Sequence, residues 1–191
     1  MKLDEFTNHR LRIWHLCQRT AWRLYGIRVP TVEYADRVAR LLFGTCAQES
    51  NFLWERQHGL KFFGRVGAFG KWQVEAGSIE ASIFLLRTNS SLAARATSFL
   101  FADNEATTEW LDAPIDEWLW TLRFDDNDVP ACMFARLHYI RIPSLVPESA
   151  LGQAKYYKEH YNTPAGAARV EDYMLNWQNL CLPIIELDKT E

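Results

Sequence analysis

The chain has 191 residues, 48% of them hydrophobic and 24% charged, with a formal net charge of −3 at pH 7. That length is most simply one domain able to bury about 70% of its unfolded surface, and the acidic balance argues against a broad nucleic-acid-binding face. No apolar run approaches the roughly 18 residues of a spanning helix, and the opening MKLDEFTNHRLRIW lacks the apolar core of a secretory signal peptide, so neither a membrane span nor a signal peptide is expected.

Taken in chain order, the predicted elements are mostly helices. Residues 4–25 place Phe6, Ile13, Trp14, Cys17, Ala21, Leu24 and Tyr25 at helical spacing, with Gly26 as the stop. After Pro30, Thr31 caps a second helix running to about Phe52. Residues 57–76, QHGLKFFGRVGAFGKWQVEA, hold four of the nine glycines and read as a short Gly-rich loop or β-hairpin. Two shorter helices follow over 78–88 and 90–102, the second started by Asn89 or Ser90. Ile115–Phe124 and Asp128–Arg141 form another pair, the latter capped by Asn127 or Asp128 with Pro130 in its first turn. After Pro143 and Pro147 come two last helices, about 149–161 and 165–181. The fold class expected is mainly α, one domain over 1–191, with no internal repeat and no linker.

Cys17, Cys46, Cys132 and Cys181 lie far apart in apolar stretches, and the five histidines show no i, i+4 pair. No metal site and no cofactor is expected, and the cysteines read as buried free thiols. Arg10, Arg12, Arg19 and Arg23 share no single helical face and read as a solvated surface rather than a nucleic-acid contact.

The stretch FGTCAQESNFLWE, 43–55, carries the chemistry. Val38, Leu42, Thr45, Glu49 and Phe52 follow steps of four and three, which puts Glu49 on the inward stripe near the end of the second helix. Burial and the negative end of the helix dipole both disfavour its carboxylate, so it should keep its proton to higher pH than a free Glu, as a general acid must. The alternative is a helix ending at about Gln48, with Glu49 pointing to water.

Glu49-Ser50-Asn51-Phe52, followed by Gly67, Ala68, Gly70 and Gln73 in GAFGKWQ, resembles the lytic transglycosylase and goose-type lysozyme superfamily. There a helix ends in a catalytic Glu-Ser pair, and a later Gly-Ala-x-Gly-Leu-x-Gln segment lines the sugar cleft; here Lys71-Trp72 replaces the aliphatic pair. The likeness covers about residues 38–76. It implies an α+β lysozyme-like fold with a catalytic-type core over about 31–142 and C-terminal helices over about 149–181. It also implies cleavage of MurNAc–GlcNAc β-1,4 bonds in peptidoglycan, with Glu49 as acid and then base. Ser50, Gly67, Gly70, Trp72 and Gln73 would bind substrate, and Trp72, Trp54 and Phe69 would offer stacking faces for sugar rings. The superfamily's Tyr above the catalytic Glu has two counterparts, Tyr139 in CMFARLHYIR, which is favoured, and Tyr161 in EHYNTPAG.

Hydrolysis usually requires two carboxylates. Glu55 and Glu75 are the candidates for a second, whereas lytic transglycosylases manage with one. The segments DDNDVPACMFARLHYIRIPSLVP and YYKEHYNTPAGAARVEDYMLNW also resemble small virion-region proteins of tailed bacteriophages. That resemblance implies location in the phage virion, or in the host cytoplasm with delivery to the periplasm, and other virion proteins as partners beside peptidoglycan glycan strands. The alternative function is a catalytically inactive virion structural or genome-ejection protein that keeps the lysozyme-like scaffold.

Overall fold

The computed structural model describes residues 4–26, 29–53, 68–102, 107–112, 127–162 and 166–190. It is mainly helical, with one two-stranded antiparallel sheet among the described residues. Helix α1 spans Glu5–Arg23 and is capped by Asp4, whose carboxylate accepts from the Thr7 N–H at 2.8 Å. It ends at Arg23, two residues earlier than the apolar spacing suggests. Helix α2 spans Val32–Ser50, with the Thr31 hydroxyl accepting from the Tyr34 N–H, and makes its most extensive packing against α1.

The glycine-rich region supplies a hairpin, β1 (Ala68–Phe69) and β2 (Val74–Glu75), paired Ala68 to Glu75 and Phe69 to Val74. Helices α3 (Ala76–Thr88) and α4 (Ser90–Phe101) meet at Asn89, whose side chain accepts from the Leu92 N–H at 3.0 Å. A 3₁₀ turn over Thr108–Leu111 follows. The helix expected over Ile115–Phe124 lies outside the described residues. Helix α5 (Asp128–Ile140), capped by Asn127, is buried from Pro130 through Leu137 without a break. A helix buried on every side belongs at the centre of its fold, and α5 packs against α1, α3 and α4.

Helix α6 (Ala150–His160) starts at a Ser149 cap. The last helical run differs from the expectation of one helix over 165–181. Helix α7 covers Val170–Asn176, a π turn covers Trp177–Cys181, and α8 continues over Leu182–Asp188. Pro183 explains the widened turn: it has no N–H to donate and its ring would strike the preceding turn of a regular α-helix. Asp188 then closes α8 onto α1, accepting from Trp14 Nε1 at 2.8 Å and His15 Nε2 at 2.8 Å.

Tyr173 on α7 packs straight onto α2. A Cβ on Gly44 would stand 2.0 Å from the Tyr173 hydroxyl oxygen and 2.6 Å from Cζ, so only glycine lets the two helices approach this closely. Gly44→Ala should destabilise the protein by about 1–3 kcal/mol, the usual cost of overpacking a core, measured as a lower denaturation midpoint with unchanged m-value.

Candidate active site at the end of helix α2

Helix α2 continues past Gln48, so Glu49 is helical and stands one residue before its end. The helix stops because Asn51 takes a left-handed conformation with φ 50°, and Phe52 follows at φ 65°. Each costs a non-glycine residue about 1–2 kcal/mol. Phe52 offsets that cost: its ring is fully buried, 4.8 Å from the Phe43 ring, and its carbonyl accepts from His9 Nε2 at 3.0 Å. The chain is thus turned away immediately after Glu49, leaving that side chain partly open.

The Glu49 carboxyl is half-buried, and the Tyr157 hydroxyl donates to its Oε1 at 2.6 Å. Its pKa is raised from 4.5 to about 7: burial is the main cause, the Tyr157 hydrogen bond works against it, and the negative charge of Glu75 at the exposed end of β2 adds to the rise. The C-terminal end of α2 acts in the same direction as burial. A carboxyl near 7 is divided between its two forms at neutral pH, so it can both give and take a proton.

Tyrosines form the wall behind it. The Tyr157 ring lies 5.2 Å from Tyr173 and 6.0 Å from Tyr161, and Tyr161 stacks on Tyr139 at 5.3 Å. The Tyr161 hydroxyl donates to the Trp72 carbonyl at 2.7 Å, which ties the hairpin to α6. His138 sets the edge of this wall, its ring 4.9 Å from Tyr161. Burial pushes the His138 pKa down to about 4, so the ring is neutral. Its Nε2 faces the His160 carbonyl at 2.7 Å and must carry the hydrogen, leaving Nδ1 to accept from Ser78 and Arg141.

The structure gives Glu49 a different tyrosine from the two expected. Tyr139 is 3% exposed and its hydroxyl bonds Thr45, one turn back along α2. Tyr161 is committed to Trp72. Tyr157 was missed because the segment sought by resemblance contains a single Tyr, whereas KYYKEHY offers three. Its i, i+4 spacing with Tyr161, which puts both on one helical face, was the available signal.

Several expected substrate contacts turn inward. Trp72 is fully buried and its indole N–H donates to the Leu42 carbonyl at 2.8 Å, so it has no face to offer a sugar. The buried Ser50 hydroxyl bonds back to the Cys46 carbonyl at 3.0 Å. Gly70 has φ 65° and Gln73 φ 48°; the Gln73 backbone and side-chain amides both donate to the Gly70 carbonyl, at 2.9 and 2.8 Å. These two residues close the hairpin turn, which accounts for the glycine without a ligand. The Phe69 ring is 9% exposed. Gly67, Trp54 and Glu55 lie outside the described residues. Lys71, the departure from the family pattern, pairs with Asp128 at 2.8 Å and fastens the hairpin to the start of α5. Among the described residues no group of three His, Cys, Asp or Glu side chains could hold a metal ion. The arrangement therefore brings together Glu49, Tyr157 and the charge of Glu75.

The raised Glu49 pKa makes stability depend on pH. Below about pH 4.5 the group is neutral in both folded and unfolded chains; between 4.5 and 7 the unfolded chain releases its proton first, and folding loses stability as pH rises. Glu49→Gln should therefore match the native protein at pH 4 and become progressively the more stable of the two up to pH 8, as read by thermal unfolding. Tyr157→Phe removes the donor that favours the carboxylate, and should move the Glu49 titration upward in a carboxyl-carbon NMR experiment.

No protein-family model, no curated protein and no solved structure matches this chain.

Proposed function

We propose that the protein is a peptidoglycan-cleaving muramidase of the lytic transglycosylase kind, acting on MurNAc–GlcNAc β-1,4 bonds with Glu49 as its single acid/base. The observation that carries this reading is the Glu49 carboxyl itself. It is half-buried at a helix end, has a pKa near 7, and is held by one donated hydrogen bond, in the Glu-Ser sequence context that resembles the superfamily. In the forward step the protonated carboxyl gives its proton to the bridging oxygen as the C1–O bond breaks. The resulting carboxylate then takes the proton of the 6-hydroxyl as that oxygen attacks C1, and the anhydro sugar forms with the acid regenerated. Tyr157 orients the carboxyl throughout. Glycan strands of the cell wall are the substrate, and delivery from a phage particle accounts for such an activity in a chain whose sequence resembles virion-region proteins.

A second reading, an inactive virion structural or genome-ejection protein on this scaffold, draws support from the inward packing of Ser50, Trp72 and Tyr139. Purified peptidoglycan digested with the protein, followed by mass analysis of the released muropeptides, separates the two. Anhydro-ended fragments are expected. Reducing-end fragments would instead mean hydrolysis by a second carboxylate, Glu55 or Glu75, or a positioned water, and no fragments at all would favour the scaffold. Glu49→Gln should lower release by about 10²–10⁴-fold, the usual contribution of a general acid, and native activity should fall as pH rises through about 7.

A further inference from the structure

Arg136, on the central helix α5, is 4% exposed, yet no carboxylate pairs with it among the described residues. Its Nε–H donates to the Leu24 carbonyl at 2.8 Å, and that is its one hydrogen bond among those residues, so the two Nη groups have no acceptor among them. Burial pulls its pKa down to about 10, which leaves it charged at neutral pH. A buried guanidinium with four of its five N–H donors unused by the described residues is costly unless water or an anion in the pocket completes it.

The guanidinium lines a pocket of about 320 Å³ between the loop after α1, the start of α2 and the end of α5. Tyr34 also lines it, close enough to interact electrostatically with Arg136, and its hydroxyl has no hydrogen-bond partner among the described residues. Ile140 and Ile142 add apolar surface to its wall, with Val29 and Leu145 at the mouth, 68% and 76% exposed. Exposed apolar side chains around a buried unpaired cation are an unusual pair of liabilities. One ligand relieves both.

We propose that this pocket binds an apolar carboxylate, its head on the Arg136 Nη groups and the Tyr34 hydroxyl, its hydrocarbon body against Ile142, Val29 and Leu145. A guanidinium fork matches a carboxylate with two parallel hydrogen bonds. A phosphate dianion would bring a second charge that no other lining group among the described residues neutralises. The site is distinct from Glu49 and does not depend on the cell-wall reading.

The test is calorimetric titration of the full chain with hexanoate, and with hexanol, hexylammonium and acetate as controls. Hexanoate should saturate a single site, with hexanol, hexylammonium and acetate each binding at least about tenfold more weakly, since head and tail are both needed. Hexanol binding as well as hexanoate would overturn the proposal. Arg136→Met should abolish hexanoate binding; because that change is in the core, Leu145→Glu at the exposed mouth provides a variant whose fold is unaffected, and it should weaken hexanoate by about tenfold or more through charge repulsion. Hexanoate binding unchanged in Leu145→Glu would place the ligand elsewhere and sink the assignment. N-acetyl-leucine and N-acetyl-leucinamide identify the source of the carboxylate. Tighter binding of N-acetyl-leucine than of hexanoate assigns the site to a peptide C-terminus, and the reverse order assigns it to an aliphatic acid.

Discussion

The hydrogen bond from Tyr157 to Glu49 joins α6 to the last turn of α2 and decides what that carboxyl can do. Buried without a donor, an acid at the negative end of a helix would stay protonated and inert as a base. Fully solvated, it would be ionised and useless as an acid near neutrality. One short donated bond, set against desolvation and the nearby charge of Glu75, leaves it between the two.

The surrounding structure holds that donor in place. Tyr157 lies against Tyr173, which reaches α2 because Gly44 has no side chain, so the closeness of α7 to α2 sets the position of α6 as well. On the other side, two consecutive left-handed residues end α2 just after Glu49. The energy that makes this turn tenable comes from burying Phe52 and capping its carbonyl with His9. The packing of Phe52 thus fixes where α2 ends, one residue past Glu49.

The tyrosine wall has two faces of chemical interest. Tyr139 contributes to the stack behind Glu49 and also lines the pocket that contains Arg136. A carboxyl held near half-protonation and an unpaired guanidinium therefore sit against the same aromatic layer, each half-satisfied by the protein. Such incomplete polar groups are rare in protein interiors, because the fold itself gains nothing by leaving them so.

The sequence by itself determined most of the described helices, the cap at Thr31 and, each as one of two candidates, the caps at Asn89 and Asn127, a glycine-rich loop or hairpin, and the inward placement of Glu49, because each depends on local spacing and on side chains that bond their own backbone. It also carried the resemblance that named Glu49. The partner of that carboxyl was decided only in three dimensions: Tyr139 and Tyr157 lie on helices and Tyr161 just past the end of α6, and which hydroxyl arrives depends on how closely α7 and α6 approach α2. Trp72 and Ser50, chosen from a motif as ligands of sugar, belong to the core for the same reason, since a motif records order along the chain and not which face meets solvent. The unpaired state of Arg136 was likewise invisible, because whether a cation has a partner depends on residues distant in sequence. Local chemistry writes the elements; the contacts between them set the charge states.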